Sequence, residues 1–197
     1  MRVFCNLDSI PCGISTVVSV GKFDGVHLGH QRIIKAVCTR AQALGCLSAV
    51  VTFDPHPSVA LRQSTPVTVL TPLPVKLDLF AQLGLDAVVV LPFTRELAET
   101  TAENFVLRIL IEKLAVREVH EGAGFRFGKS AAGDCEYLRT MAAKHGFDVQ
   151  MHDRVRCGEH AISSSVIRSL LANNNYELAA RMLARPVTAN GQNCEPA

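Results

Sequence analysis

Short apolar, β-branched runs alternate with helix-period segments along the chain, the pattern of βαβ units built on a parallel sheet. Val17-Val18-Ser19-Val20 reads as the first strand, and Gly21 ends it. From about His30 to Leu44, Ile33, Ile34, Val37, Ala41 and Leu44 recur at 3-4 spacing, predicting a helix that Gly45 stops. Ser48 to Phe53 is the second strand. Asp54-Pro55-His56-Pro57 cannot continue a ladder and forms a stiff loop at the strand end. Leu73 to Leu83 predicts a helix closed by Gly84, and Ala87 to Leu91 is a strand of the kind buried on both faces of a parallel sheet. Thr100-x-x-Glu103 is a capping box opening a helix through Leu114. Val116 to His120 is a strand leading into a loop from Gly122 to Gly128; Cys135 to His145 is helical and Phe147 to His152 is the last strand. Short helices follow near 164–171 and 176–183.

No repeat, low-complexity stretch or linker interrupts this order, so residues 1–186 are expected to form one domain and 187–197 a polar tail. The composition agrees: 48% of the 197 residues are hydrophobic and 19% charged, enough for a self-sufficient core. The 20 Lys and Arg against 18 Asp and Glu leave +2, with no basic or acidic block. Neither nucleic acid nor a membrane surface is therefore an expected partner. No stretch reaches the roughly 20 apolar residues of a membrane span, and the first twenty residues lack the marks of a signal peptide. Seven scattered cysteines contain no C-x-x-C, so neither a zinc ribbon nor a redox dithiol is signalled. They read as small hydrophobes in a cytoplasmic, reducing setting, with Cys38 and Cys46 in or beside an apolar helix face.

Chemistry concentrates first at Gly21-Lys22-Phe23-Asp24-Gly25-Val26-His27-Leu28-Gly29-His30, between a strand and a helix. That is where open α/β sheets bind ligands, and a helix N-terminus offers free N–H groups to phosphate. Gly21, Gly25 and Gly29 allow close backbone approach, and His27 and His30, three apart, face one point if the turn is helical. A structural pair or a metal pair would not need three glycines at a strand-to-helix junction. The motif is neither a P-loop nor G-x-G-x-x-G. It resembles the HIGH-type nucleotidyltransferase signature, whose histidines bind the triphosphate of a nucleotide.

Two further segments matter in combination with it. Ile162-Ser163-Ser164-Ser165-Val166-Ile167-Arg168 sets hydroxyls at a helix start and an arginine about one turn later, either a plain cap with a solvent-facing arginine or an anion site. Phe53-Asp54-Pro55-His56-Pro57 and the loop from Gly122 to Gly133 both follow strands on one edge of the expected sheet. There Phe53, Phe125 and Phe127 are candidates to face a large flat substrate, stiffened by the prolines, rather than to join the core.

GKFDGVHLGHQ, TFDPHP, GFRFGKSAAGD, ISSSVIR and ELAARMLARP, in this order, resemble the FMN adenylyltransferase module of the prokaryotic bifunctional riboflavin kinase/FMN adenylyltransferases, the FAD synthetases. The resemblance covers about Val17 to Pro186. It implies a Rossmann-like HIGH-type nucleotidyltransferase fold, a parallel sheet with helices on both faces, and the reaction of FMN with MgATP to give FAD and pyrophosphate. It implies catalytic roles for His27, His30 and Arg168. ATP would be bound by Gly21, Phe23, Asp24, Gly29, Ser164 and Ser165, and flavin by Phe53, Pro55, His56, Pro57, Gly124, Phe125 and Phe127. Mg²⁺ would arrive with ATP and take few protein ligands.

Two departures from the family shape the expectations. The chain ends eleven residues after Arg185-Pro186, where the family usually continues into a kinase barrel, and residues 186–190 do not match the kinase's Pro-Thr-Ala-Asn signature. No riboflavin phosphorylation is expected, and a separate riboflavin kinase becomes a candidate partner. Gly124 stands where the family usually carries Asn or Asp. Two competing readings stay open: an adenylyltransferase for another phosphate monoester, or a nucleotide- or flavin-binding module that has lost catalysis.

Overall fold

Strands as apolar as residues 17–20 and 87–91 need cover on both faces, and they have it. The computed structural model describes residues 1–10, 13, 15–60 and 68–187; Cys12, Cys194 and the expected tail after Val187 lie outside the described residues. Six strands make one sheet: β1 (Arg2–Phe4), β2 (Thr16–Val20), β3 (Leu47–Asp54), β4 (Ala87–Pro92), β5 (Val116–Gly122) and β6 (Asp148–His152). Their order is β1-β4-β3-β2-β5-β6, and every neighbouring pair is parallel. α1 (Leu28–Leu44) follows β2, α2 (Pro57–Ala60) is one turn after β3, and α3 (Leu73–Gln82) precedes β4. α4 (Arg95–Glu99) and α5 (Ala102–Asn104) lead into a π-helical run, Phe105–Lys113, before β5, and α6 (Cys135–His145) joins β5 to β6. A small hairpin, β7 (Arg156–Cys157) and β8 (His160–Ala161), is followed by α7 (Ser164–Ala172) and α8 (Tyr176–Leu183).

Period-2 alternation sorts the strand side chains onto the two faces. Val17, Val50, Val88 and Val90 pack with Ile34, Val37 and Ala41 of α1 and Phe80 of α3. Val18, Val20, Val51 and Val89 pack with Phe105, Val106, Ile109 and Leu110 of the π-helical run and Leu138 and Met141 of α6. A third cluster joins Leu70 to Ile167 of α7 and to Ala179, Met182 and Leu183 of α8. Cys38 and Cys46 are part-buried against the α1 face, as their neighbours in sequence imply.

Several expectations need correction. The strand at 148–152 is not the last, since the two-residue strands β7 and β8 pair after it, too short to carry an alternation. A strand, β1, precedes Val17; three residues on a sheet edge carry too little pattern to be read. α1 starts at Leu28 rather than His30, and Leu44, 44% exposed, leaves the apolar stripe because the last turn runs past the sheet. The cap before the π-helical run is Thr101, whose hydroxyl accepts the Asn104 N–H at 3.1 Å. Thr100 instead donates its hydroxyl to the Glu96 carbonyl at the end of α4. The segment to Leu114 is mainly π-helical, so its apolar positions fit the sheet with i→i−5 bonds such as Leu114 N–H to Ile109 at 3.1 Å.

The chain leaves β2 toward β3 and leaves β5 toward β6, on opposite sides, so a crevice opens between the C-terminal ends of β2 and β5. The loop after β5 is fixed by glycines: Gly128 has φ 73° and ψ 176°, and a Cβ there would lie 2.6 Å from the Ala102 backbone nitrogen. Gly128→Ala should lower stability by about 2–3 kcal/mol, read as a melting temperature about 4–12 °C lower. An unchanged melting temperature would show that the loop can leave α5 freely.

Candidate active site

The loop after β2 is held in a tense shape. The Gly21 N–H extends the ladder to Val51 at 3.0 Å, after which Phe23 and Val26 adopt φ of 47° and 41°. A β-branched residue in that region is strained by roughly 1–3 kcal/mol and persists only where surroundings over-determine it. Here Val26 is fully buried, and the Phe23 ring stands edge-on to Phe80 at 5.6 Å and to His30 at 5.1 Å.

His27 caps α1: its Nδ1 accepts the His30 N–H at 3.3 Å. The two imidazoles stack with centroids 3.6 Å apart and 16° between planes, so the sequence spacing does bring both to one point. Burial pushes His27 down to about 4. Burial, then His27 and Lys76, holds His30 well below its ordinary value, so both rings are neutral near pH 7. With Nδ1 accepting, neutral His27 carries its proton on Nε2 and is a donor there. The His30 Nδ1 is buried without a hydrogen-bond partner.

Asp24, 2% exposed, ties the loop to two distant segments. Its Oδ1 accepts the Leu70 and Thr71 N–H groups at 2.9 and 3.1 Å, and its Oδ2 pairs with Arg168 Nη2. Arg168 Nε also donates to the Thr68 carbonyl at 2.7 Å, so this arginine does not stand out in solvent. Ser163 caps α7, while Ser164 donates its hydroxyl to the Asp24 carbonyl at 2.7 Å, and Ser165 lines the cleft. Arg185 reaches back to the Gly25 carbonyl at 2.7 Å and the Thr71 hydroxyl at 2.9 Å. The carboxylate expected to meet ATP is thus spent on amides and a guanidinium; it shapes the loop.

These groups open into one cleft of about 940 Å³, toward the upper end for small-molecule sites. Gly21, Phe23, Asp24, His27, Gly29 and His30 line it, as do Ser164, Ser165 and Arg168. Phe53, His56 and Pro57, at and after the end of β3, and Gly124, Phe125 and Phe127, after β5, also line it, whereas Pro55 does not. Phe127 is a correction: only 7% exposed, it packs against Phe105, Phe125 and Tyr137 and belongs mainly to the core. Phe53 meets Phe93 edge-on at 5.6 Å, an aromatic that no motif marks. His56 Nδ1 and the Ser58 hydroxyl are 2.7 Å apart.

Other cleft groups carry no local signal. Glu121 is 3% exposed, its Oε1 takes the Val20 N–H at 2.6 Å across the crevice, and burial raises its carboxyl well above the ordinary range. His152 and Arg154 enter from β6 and beyond it. Lys76, buried under the loop, donates to the Lys22 carbonyl at 2.8 Å. Among the described residues no three His, Cys, Asp or Glu side chains converge as a metal site, and no helix is long and apolar enough to cross a membrane.

The family model for FAD synthetase matches residues 10–166. The chain belongs to the FAD synthetase family. It is 36% identical over 182 residues to a bifunctional riboflavin kinase/FMN adenylyltransferase from Pseudomonas fluorescens, covering 89% of this chain and 56% of that protein. The relative of the same name from Listeria monocytogenes is 37% identical over 179 residues, covering 90% and 56%. The chain thus spans little more than half the length of these relatives. A solved macrolide-efflux protein from Streptococcus pneumoniae shares the fold with TM-score 0.79 at 24% identity, over 92% of this chain and 59% of that one. A pantoate-beta-alanine ligase from Francisella tularensis shares it at TM-score 0.55 and 14% identity, over 90% and 78%. These likenesses bear out the expected fold of this FAD synthetase family member, a parallel sheet with helices on both faces.

Asp24→Ala should lower stability by about 3 kcal/mol, because it orphans two buried amides and leaves Arg168 without its carboxylate. For a chain of this size that is a melting temperature about 6–12 °C lower. A variant that melts like the wild type would deny Asp24 its tying role.

Proposed function

We propose that the chain transfers AMP from MgATP to FMN, giving FAD and pyrophosphate, with residues 1–186 as the catalytic domain. The observation that carries this reading is the stacked, neutral His27–His30 pair at the start of α1, opening at the crevice into a cleft with aromatic walls. The family membership supports the same activity.

In this reading the triphosphate lies against the α1 N-terminus, where backbone N–H groups and the His27 Nε2–H donate to its oxygens. Ser164, Ser165 and Arg168 face it from α7, with Arg168 shared between Asp24 and the nucleotide. Gly21, Phe23 and Gly29 give the backbone approach. Mg²⁺ would arrive as part of the nucleotide substrate, supplying positive charge to its phosphates and taking few ligands from the chain. The flavin ring takes the wall of Phe53, His56, Pro57, Gly124 and Phe125. An oxygen of FMN's phosphate attacks the α-phosphorus, and the bond to the bridging oxygen of pyrophosphate breaks. The second ionisation of a phosphate monoester lies near 6, so the nucleophile needs no base. Catalysis is then alignment plus stabilisation of charge on the α-phosphate. A cytoplasmic setting fits the free cysteines of the described residues.

Purified protein with FMN, ATP and Mg²⁺ should form FAD, followed by chromatography, and His27→Ala or His30→Ala should each slow it by about 10²–10³. No FAD above a protein-free blank at high protein concentration would defeat the reading. Gly124 offers a second handle: its φ is not in the left-handed region, and a Cβ there would meet only the end of the Arg154 side chain, at 3.3 Å. The backbone therefore accepts a side chain. Gly124→Asn should raise kcat/KM for FMN through better positioning, with ATP binding unchanged within about twofold. A fall in FMN turnover would point to a bulkier acceptor.

A further inference from the structure

A line of hydrogen-bonded ionisable side chains, buried at Glu118 and His120, runs from Arg40 on α1 to the cleft, and the mechanism above does not use it. Glu118 and His120, two apart on β5, share the face toward α1. Arg40 of α1 donates to both Glu118 oxygens, through Nε at 3.1 and 3.0 Å and through Nη2 at 2.7 Å. The other end of Glu118 meets His120 Nε2 at 2.9 Å, and His120 Nδ1 lies 2.9 Å from His152 Nε2. Glu118 is 0% exposed and His120 2%, so the bond between them is shielded from water.

The proton positions follow from the ends of the chain. Burial alone would raise Glu118; the bonds from Arg40 and His120 outweigh it and hold the carboxyl below its ordinary range, hence ionised. An ionised carboxylate only accepts, so His120 Nε2 carries a proton. Burial keeps His120 below its ordinary value and neutral, so its Nδ1 is a lone pair that accepts the Nε2–H of His152. His152 therefore keeps Nδ1 for whatever enters the cleft. Arg154, also in the cleft wall, sets its guanidinium over Gly124, with Nη2 3.3 Å from where a Cβ would stand.

We infer that His152 and Arg154 form the seat for the acceptor's phosphate, with Arg40, Glu118 and His120 as positioning residues that aim His152; this rests on the FMN reading above. The ligand class is a phosphate monoester dianion. Binding it, the neutral His152 takes one proton from solvent on Nδ1 and donates it as a charge-assisted hydrogen bond to a phosphate oxygen. The groups that act on His152 are His120 from β5, Arg32 from α1, and Asp153 beside it. Burial and Arg32 lower His152 in the free protein, against Asp153, whereas a bound dianion raises it. Phosphate binding thus carries a proton in, and affinity falls as pH rises above neutrality.

The test is FMN and riboflavin binding by flavin fluorescence, with steady-state FAD formation, at about pH 7 and about pH 8.5, where the FMN phosphate is a dianion throughout. Wild type should bind FMN more weakly at the higher pH. His152→Ala should weaken FMN binding about tenfold or more at neutral pH and flatten this pH dependence, leaving riboflavin binding and the KM for ATP within about twofold. His120→Phe keeps bulk in the strand but offers His152 no acceptor, and should give a smaller loss of the same kind. If it fails to fold, the half-buried His152 at the strand end still decides. FAD formation by wild type together with unchanged FMN affinity and pH profile in His152→Ala would overturn the seat alone. A wild type that neither binds FMN nor makes FAD would remove the FMN reading, and the seat with it.

Discussion

A single buried carboxylate organises the site. Asp24 is the meeting point of the loop after β2, the backbone at Leu70 and Thr71, and Arg168 of α7, segments separated by 46, 47 and 144 positions. A charge so deep is tolerated because two amides and a guanidinium answer it. Its bonds, with Ser164 on the Asp24 carbonyl and Arg185 on the Gly25 carbonyl, over-determine the loop and keep Phe23 and Val26 in their strained backbone. Gln31 adds a brace, donating to the Val26 and Leu183 carbonyls at 2.9 and 3.1 Å. The position of the histidine pair relative to the serine turn follows from this knot.

Around it the sheet divides the work of the cleft between its two halves. The β2 side offers N–H donors that are neutral at physiological pH, since stacked and buried imidazoles cannot both hold charge. Such donors align a polyphosphate without the charge of a lysine clamp. The β5 and β6 side carries Phe125, the buried Glu121 at the crevice, and a hydrogen-bonded line of side chains from Arg40 to His152. Glu121 closes the gap where β2 and β5 part, lending an oxygen to the Val20 N–H that the ladder no longer serves.

The alternating pattern and the glycine stops made the central strands and the helices α1, α6 and α8 legible, because their periodicity is local. β1 escaped notice because three edge residues hold no period, and the π-helical run because its apolar spacing also suits an α-helix. Among site residues, His27 and His30 were readable since three positions on one turn fix their meeting. The role of Asp24 was not, since its partners are remote in sequence. Phe127 looked like a cleft aromatic but is claimed by the core, through Phe105 and Tyr137. The line from Glu118 to His152 shows half of itself in the i, i+2 spacing on β5; Arg40 and His152 join it only through α1 and β6.

In the proposed reaction one cleft holds both substrates, with the triphosphate on the α1 side and the acceptor's phosphate on the β6 side. A crystal structure with FMN and an ATP analogue that cannot be cleaved at the α-phosphorus addresses it directly. The account predicts triphosphate oxygens within hydrogen-bond distance of the His27 Nε2–H and the α1 backbone, and an FMN phosphate oxygen in line with the α-phosphorus beside Gly124. Nucleotide bound away from the His27–His30 pair, or flavin bound outside the wall of Phe53 and Phe125, would contradict it.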